Sequence, residues 1–462
     1  MSPKLTVNLG LRYDMLPHAF EENDLVAVFY PGLYDPAKAP TVLSNGQLVG
    51  GDPLNGIGLA GKNGIPRGMV QNHWKMFLPR IGFAWRPWGE DTVIRFGYGI
   101  YTERIQGNDI YNVGPNPPNS FTAQIFSAPL SNPGGGAAAR FPSNLQTYDG
   151  PYLLPKIQQY NFGIQHRIAQ GVVMTASYVG SSAWHLQTGR NINQPTPAGA
   201  ARVLAGTAIV NQVRPYLGWG NIQSYENSTG SSFNSFQFSM RTENYKGLTF
   251  SASYTWSHAL DYVSGDVAGN AHQDAYNTKL ERANGNFDRR QMLILSYVYD
   301  IPTPKDWAKA LQYTLGSWTV SGISTFQSGV PLNISLPGDN AGIGGAPYRP
   351  DVIRNPNLPS DQRVRERYFD PAAFAQPALG RFGNAARNNV RQGGLNNWDL
   401  ALFKNIPLGW EGGNLQFRGE FFNAFNHTQW SGYRNSFGAA GFGEANAARD
   451  ARSIQLGLKF LW

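Results

Sequence analysis

The stretch KLTVNLGLRYD, residues 4–14, alternates almost without a break. Leu5, Val7, Leu9, Leu11 and Tyr13 are apolar; Thr6, Asn8, Arg12 and Asp14 between them are polar, and Gly10 is neutral. Successive side chains of a β-strand point to opposite faces, so this pattern makes a strand with one apolar and one polar face. Two environments accept such a strand. In a soluble domain the apolar face packs on a core. In an outer-membrane barrel it meets lipid, and the polar face lines an aqueous interior.

The same pattern recurs along the chain. PRIGFAWRP (79–87), TVIRFGYGIY (92–101), YNFGIQHRI (160–168) and VVMTASYV (172–179) carry it, and SFQFSMR (235–241) with LTFSASYTWS (248–257) is the clearest pair. QMLILSYVYD (291–300), SWTVSGISTFQ (317–327), NNWDLALFK (396–404), NLQFRGEFFNAF (414–425) and SIQLGLKFLW (453–462) follow. The first two of these leave the face assignment open. The total is twelve strands, most near the 9–11 residues a tilted strand needs to cross a bilayer. Soluble strands are shorter, about 5–6 residues.

The connections separate the two environments. Short links join Arg86 to Thr92, Ile168 to Val172, Arg241 to Leu248, Asp300 to Ser317 and Lys404 to Asn414, through turn formers such as WGED, AQG and NYKG. Long links run through 14–76, 102–157, 180–232, 258–290, 328–395 and 426–452. Short and long alternate throughout. A soluble sandwich or propeller gives no reason for every long loop to fall on one rim. An outer-membrane barrel does, with short periplasmic turns and long extracellular loops. The reading is therefore an all-β, antiparallel up-and-down transmembrane barrel. Tyr13, Trp85, Trp88, Tyr160, Trp256, Trp398 and Trp462 near strand ends are candidates for interfacial aromatic girdles.

Bulk properties agree. The 462 residues carry 53 Gly, 31 Pro, 12 Trp, 22 Tyr and 26 Phe, with only 15% charged, which argues against disorder. With no cysteine there is neither a disulfide framework nor a thiolate metal site. The formal charge of +8 is spread along the chain, so no nucleic-acid patch stands out. The densest basic run, RVRER (363–367), reads as a solvated loop. No run of about 18 apolar residues forms a transmembrane helix, and the N-terminus has no signal-peptide core.

No catalytic constellation is found. GIGLAG (56–61) matches G-x-G-x-x-G but neither follows a strand nor opens a helix, so it reads as a loop. His18, His73, His166, His185, His258, His272 and His427 show no metal-ligand spacing. Asp261 and Asp266 share a loop that lacks calcium-loop spacing. The chain is read as a non-enzyme without cofactor. FDRR (287–290) reads as a loop-folding salt bridge between Asp288 and an arginine.

What remains is the polar face. By parity its charges are Arg12, Arg80, Arg95, Arg167, Arg241, Arg418 and Lys459, with Asp399 and Glu420. In a water-filled barrel they favour anionic solutes. The competing reading is that each pairs with an acid on a neighbouring strand or loop.

Seven stretches in order, FDRRQMLILSYVYDIP (287–302), GSWTVSGISTFQSGVPL (316–332), RPDVI (349–353), FDPAAFAQP (369–377), FGNAARN (382–388), NNWDLALFKNIPL (396–408) and LQFRGEFFNAFNHTQW (415–430), resemble the Oar-like TonB-dependent transporters of bacterial outer membranes. KLTVNLGLRYD and PRIGFAWRPWGEDTVIRFGYGIY resemble them too. The last strand, with Leu456, Leu458, Phe460 and Trp462, is similar to the aromatic-ended signal read by the barrel assembly machinery. The resemblance implies a 22-stranded barrel with an N-terminal plug and a TonB box, in many members preceded by an Ig-like domain. Residues 1–462 show none of those N-terminal parts and no export signal, so the expectation is the C-terminal portion of such a barrel, unable to transport alone. The implied function is energised uptake of a scarce carbohydrate, peptide or chelated metal, driven by TonB through the plug, with lipid and the assembly machinery as partners and long loops facing outward. A surface adhesion barrel and a passive pore are the alternatives, as is a self-closed barrel of twelve strands.

Overall fold

The computed structural model describes residues 4–104, 112–120, 130–131, 140–148, 152–265, 272–410 and 413–462. Twelve long strands lie side by side in chain order: β1 (Leu5–Asp14), β2 (Met76–Trp85), β3 (Thr92–Thr102), β4 (Lys156–Ala169), β5 (Val172–Asn191), β6 (Trp219–Tyr245), β7 (Leu248–Asp261), β8 (Gln291–Asp300), β9 (Trp318–Gln327), β10 (Leu395–Pro407), β11 (Asn414–Phe422) and β12 (Ser453–Leu461). Every neighbouring pair is antiparallel, so the sheet is an up-and-down meander. Ser143–Tyr148 and Ala283–Asn284 add short pieces at β6 and β7.

The alternation read in the sequence sets the register. Across β6 and β7, Phe236 faces Trp256 and Phe238 faces Tyr254, while Gln237 faces Thr255 and Ser239 faces Ser253. A slip of one residue would place Phe opposite Thr, which is why such a pattern pins its pairing. The hairpin between them turns on two residues, Lys246 (φ 52°) and Gly247 (φ 84°). Two consecutive positive φ values match the twist of the flanking strands, and glycine adopts one at no steric cost.

Register also resolves the strands whose faces the sequence left open. Leu293, Leu295 and Tyr297 pair with Tyr254, Ala252 and Phe250, on the apolar face. Ile294 and Val298, with Ile323 of β9, fall on the polar face beside Ser253, Thr249 and Ser296. Both faces of β8 carry apolar residues, so alternation alone could not assign it.

The five short links lie on one rim. One of them holds a helix, α2 (Lys309–Leu315), rather than a bare turn. On the other rim the long links form a folded layer. β5 and β6, with 20 and 27 residues, run on into it. So does α1 (Pro197–Leu204), whose N-cap Thr196 hydroxyl accepts the Gly199 N–H. Here sit the four apolar clusters of the described residues, one around Val28, Met69, Val113 and Tyr225, one around Phe29, Leu145, Trp219 and Ile222, one around Ile334, Phe369, Phe374 and Val390, and one around Leu336, Ile343 and Tyr348. Each fully buried aliphatic or aromatic side chain there contributes roughly 1.5–3 kcal/mol. The greasy core of this protein therefore lies above the sheet and not against it.

Among the described residues β1 pairs only with β2, and β12 only with β11. Both edge strands are exposed on both faces, with Leu9 76% and Leu458 69% accessible.

Candidate functional site

The polar face is built by register. From Asp399 the pairing runs through Ile323 and Ser296 to Ser251 and Arg241, so these share one face. Arg241 faces Val173, which faces Arg167. Arg95 lies between Ala84 and Gly163, and Arg80 between Gly10 and Gly99, with Arg12 two residues beyond Gly10. At the other end Arg418 sits between Phe403 and Gly457, Glu420 opposite Ala401, and Lys459 opposite Gln416. All the charges assigned to the polar face by parity share it.

Their partners divide them. Arg12 Nε donates to Asp14 Oδ1 at 2.6 Å, Arg167 Nε to Asp91 Oδ1 at 2.6 Å, and Arg418 Nη2 to Glu420 Oε1 at 3.2 Å. These are the acid pairs that the competing reading requires. Their arginines are well exposed, so each is worth at most about 1 kcal/mol. Two of the others, Arg95 and Arg80, find neutral neighbours. Arg95 Nη1 donates to Gln165 Oε1 at 2.6 Å, and the Arg80 guanidinium lies 4.6 Å over the Tyr101 ring. Asp399 Oδ1 accepts the Asn423 N–H at 2.9 Å. Three of the seven cations are thus compensated by acids, and the face keeps a positive balance.

Above it, the loop layer is laced by buried charges. Asp288 of FDRR accepts from Arg290 Nε at 2.9 Å, from Arg391, and from the Ala259 N–H at 2.7 Å. The salt bridge expected there is present, with two arginines. Burial works to raise the Asp288 carboxyl, but the Ala259 N–H and both guanidiniums outweigh it and hold it below the ordinary carboxylate range. Arg387 grips Asp261, and Arg381 grips Asp351, whose carboxyl is lowered chiefly by that bond. Asp266 lies outside the described residues.

Deepest is Glu281, which accepts from Arg349 Nη1 and Nη2 at 2.8 and 3.0 Å and from the Gln273 N–H at 3.1 Å. Gln273 in turn donates to Gly383 O at 3.0 Å. His272, fully buried, places Nε2 2.8 Å from Thr188 Oγ1 of β5. Burial pushes its imidazole down, and Arg190 and Arg349 add to this against the pull of Glu281. Arg214 is pushed down to about 10 by burial and donates to Asn193 O at 2.7 Å.

Glu281, Arg349, Arg381 and Arg387 were not predicted as site residues. The stretches RPDVI, FDPAAFAQP and FGNAARN that carry the family resemblance hold two of these four, Arg349 and Arg387, and also Phe369, Phe374 and Ala385 of one apolar cluster. The resemblance of those stretches was the available signal. GIGLAG contributes Ile57–Leu59, a strand paired with Ala27–Phe29, and RVRER is largely exposed as a loop.

Residues 1–455 match the outer membrane beta barrel domain family. The chain belongs to that family. As an outer membrane beta barrel it is integral to the outer membrane. Among solved structures it is similar to the outer membrane transporter YddB from Escherichia coli, at 11% identity and a TM-score of 0.46, over 85% of this chain and 41% of that one. It is also similar to the siderophore receptor PiuA from Acinetobacter baumannii, at 10% identity and 0.41, over 84% and 36%. A third is the ferric-catecholate import receptor Fiu from E. coli, at 11% and 0.40, over 100% and 43%. The chain spans less than half the length of these solved structures. No curated protein matches it.

On the apolar face of this outer membrane beta barrel, aromatics gather near the strand ends. Toward the long-link rim Tyr13 contacts Phe77 (centroids 5.1 Å), Tyr160 and Tyr178 both donate to Asn234 Oδ1, at 2.9 and 2.7 Å, Trp256 is exposed, and Trp398 packs edge-on against Phe326. Toward the other rim lie Trp85, Trp88, Phe460 and Trp462, with Leu456 and Leu458 exposed between the rims.

Proposed function

We propose that this chain forms wall and loop layer of a TonB-dependent uptake receptor of the Oar-like type. The observation that carries the reading is the combination on one rim: a folded loop layer held by buried ion pairs, standing over a polar face with excess positive charge. A fixed layer presents a binding surface without first ordering its loops, which lowers the entropic cost of capture. The positive face beneath suits a ligand that is anionic or carries anionic groups. Under this reading Arg80, Arg95, Arg241 and Lys459 line the interior, the long loops face outward, and TonB energises release into the periplasm.

The edges fit a larger wall. Within hydrocarbon an open sheet edge leaves backbone groups unsatisfied, at several kcal/mol each. Both β1 and β12 must therefore be paired in the membrane. β1 runs away from the short-link rim and β12 runs toward it, so an even number of antiparallel strands completes the ring. The 22 strands implied by the resemblance meet that condition. On this reading the twelve strands transport only when both edges are paired.

The test is uptake of three labelled probes, a maltodextrin, a short peptide and a ferric siderophore, by cells expressing the gene with and without TonB. Import of one probe that stops without TonB supports the reading. Import that persists without TonB replaces it with a passive pore, and surface retention without import replaces it with adhesion.

A further inference from the structure

The short link between β8 and β9 is a folded unit. Its neck is closed where the Ser317 N–H donates to Thr303 Oγ1 at 2.8 Å. From within α2, Gln312 Nε2 reaches back to Trp307 O at 2.8 Å and Lys305 O at 3.2 Å. Gly316 ends the helix, where a Cβ would lie 2.5 Å from both Gln312 O and Thr303 Cγ2.

The chain leaves this helix bare. Every side chain of α2 except Gln312 is exposed, Leu311 at 46% and Leu315 at 58%. Ala308, Leu311 and Leu315 share one face, at i, i+3 and i+7, and Lys309 and Tyr313 share the opposite one. Isolated helices shorter than about 12–15 residues are marginal in water. α2 has seven residues, and among the described residues nothing covers its leucines.

Its carboxyl end is fastened to the lipid-facing side of the sheet. Lys404 of β10 pairs with Trp318 and with Phe417, and Phe417 pairs with Leu458, so Lys404 belongs to the apolar face. Its Nζ donates to Gly316 O and lies 5.5 Å over the Trp318 ring. Ile301, whose N–H donates to Trp318 O at 2.9 Å, carries the apolar row of β8 into the link. The helix is thus continuous with the face by which the barrel meets lipid, at the rim where lipid gives way to water.

We propose that α2 is an interfacial anchor, lying in the plane of the leaflet around the short-link rim, with Leu311 and Leu315 beneath the headgroups and Lys305 and Lys309 on anionic headgroups. A short helix with leucines on one face and lysine on the other has the make-up that seats helices at an interface, the apolar face sunk about 5–10 Å. The interface supplies the cover that the rest of the chain does not. That this leaflet is the periplasmic one rests on the outward-facing long loops of the uptake reading; the seating of the helix does not.

The protein has no cysteine, so single cysteines replacing Lys309, Leu311, Tyr313 and Leu315 can be spin-labelled in the full chain. The chain is folded into vesicles of phosphatidylethanolamine and phosphatidylglycerol. Collisions of each label with oxygen, which concentrates in lipid, are compared with collisions with a water-soluble nickel chelate. The oxygen-to-nickel ratio is expected to be several-fold higher at the Leu311 and Leu315 positions than at the Lys309 and Tyr313 positions. Equal ratios at all four, or the reverse order, overturn the anchor. Exchanging phosphatidylglycerol for phosphatidylcholine should lower the ratio at the Leu311 position about twofold, and Lys305→Gln with Lys309→Gln should abolish that response. A ratio indifferent to the anionic lipid overturns the headgroup contact. Lys404→Met, which frees Gly316 O, should raise label mobility at the Leu315 position; unchanged mobility overturns the fastening. Retention of heat-modifiable gel mobility shows that each variant still folds. The vesicles hold no TonB, so the result is independent of whether the chain takes part in uptake.

Discussion

Arg349 and Glu281 form a two-bond ion pair in which neither side chain is more than 3% exposed, at 2.8 and 3.0 Å, across 68 residues of chain. It ties the link after β7 to the link after β9. Removing one partner leaves the other charged and buried, which costs about 3–5 kcal/mol. Arg349→Met is therefore expected to loosen the loop layer while leaving the sheet intact. Hydrogen exchange should rise in residues 272–284 and 346–390 and stay unchanged in β6 and β7. The double variant Glu281→Leu with Arg349→Met should recover most of the protection. A single variant with undisturbed exchange would mean that the pair holds nothing in place.

His272 supplies a pH dependence. Its folded pKa lies below that of a free histidine, about 6.5. As pH falls through that value the unfolded loop takes up a proton and the folded one does not, so the layer loses stability from about pH 6.5 downward. Proteolysis of the loop layer is expected to speed up between pH 7.5 and pH 5. In His272→Gln, which keeps a donor for Thr188, that dependence should flatten. Asp288 and Asp351 act lower: their carboxyls are depressed, so their stabilisation is complete above about pH 4 and is lost as pH falls through their folded values.

The two edges of the sheet give a prediction about closure. The protein has no cysteine, so introduced pairs report without background. Gly10→Cys with Gly457→Cys is expected to give no intramolecular disulfide under mild oxidation. A high yield would mean that β1 and β12 meet and that twelve strands close by themselves.

The last strand predicts an assembly defect. Leu456, Leu458, Phe460 and Trp462 present an exposed apolar row ending in aromatics. Phe460→Ala combined with Trp462→Ala should reduce the heat-modifiable, folded fraction in outer membranes several-fold. Gln455→Ala, on the opposite face of β12, should not.

Alternation made the sheet legible. KLTVNLGLRYD, SFQFSMR and LTFSASYTWS announce their faces, and the alternation of short and long links ordered the strands. β8 was not legible, because Ile294 and Val298 place apolar side chains on the polar face and only pairing with β7 resolves them. The loop layer was opaque for another reason. Its clusters join residues distant in sequence, as Val28 with Val113 and Tyr225, and no local period records that contact. Its charges are likewise paired across long separations, 126 residues for Arg387 and Asp261, so a scan for local motifs passes over them. Only the Asp288 bridge was foreseen, because Asp288 and Arg290 are two residues apart.

The central claim is that the apolar rows meet lipid and the polar rows border water, and a cysteine scan along β7 tests it most directly. Residues 249–256 are replaced by cysteine one at a time in the intact outer membrane and exposed to a small water-soluble maleimide, which needs a thiolate, and in parallel to a lipid-dissolved photoactivated carbene reagent, which does not. Thr249, Ser251, Ser253 and Thr255 positions should react with the water-soluble reagent, and Phe250, Ala252, Tyr254 and Trp256 positions with the lipid-dissolved one. The opposite alternation, or protection of the Phe250 row from both reagents, would contradict the account.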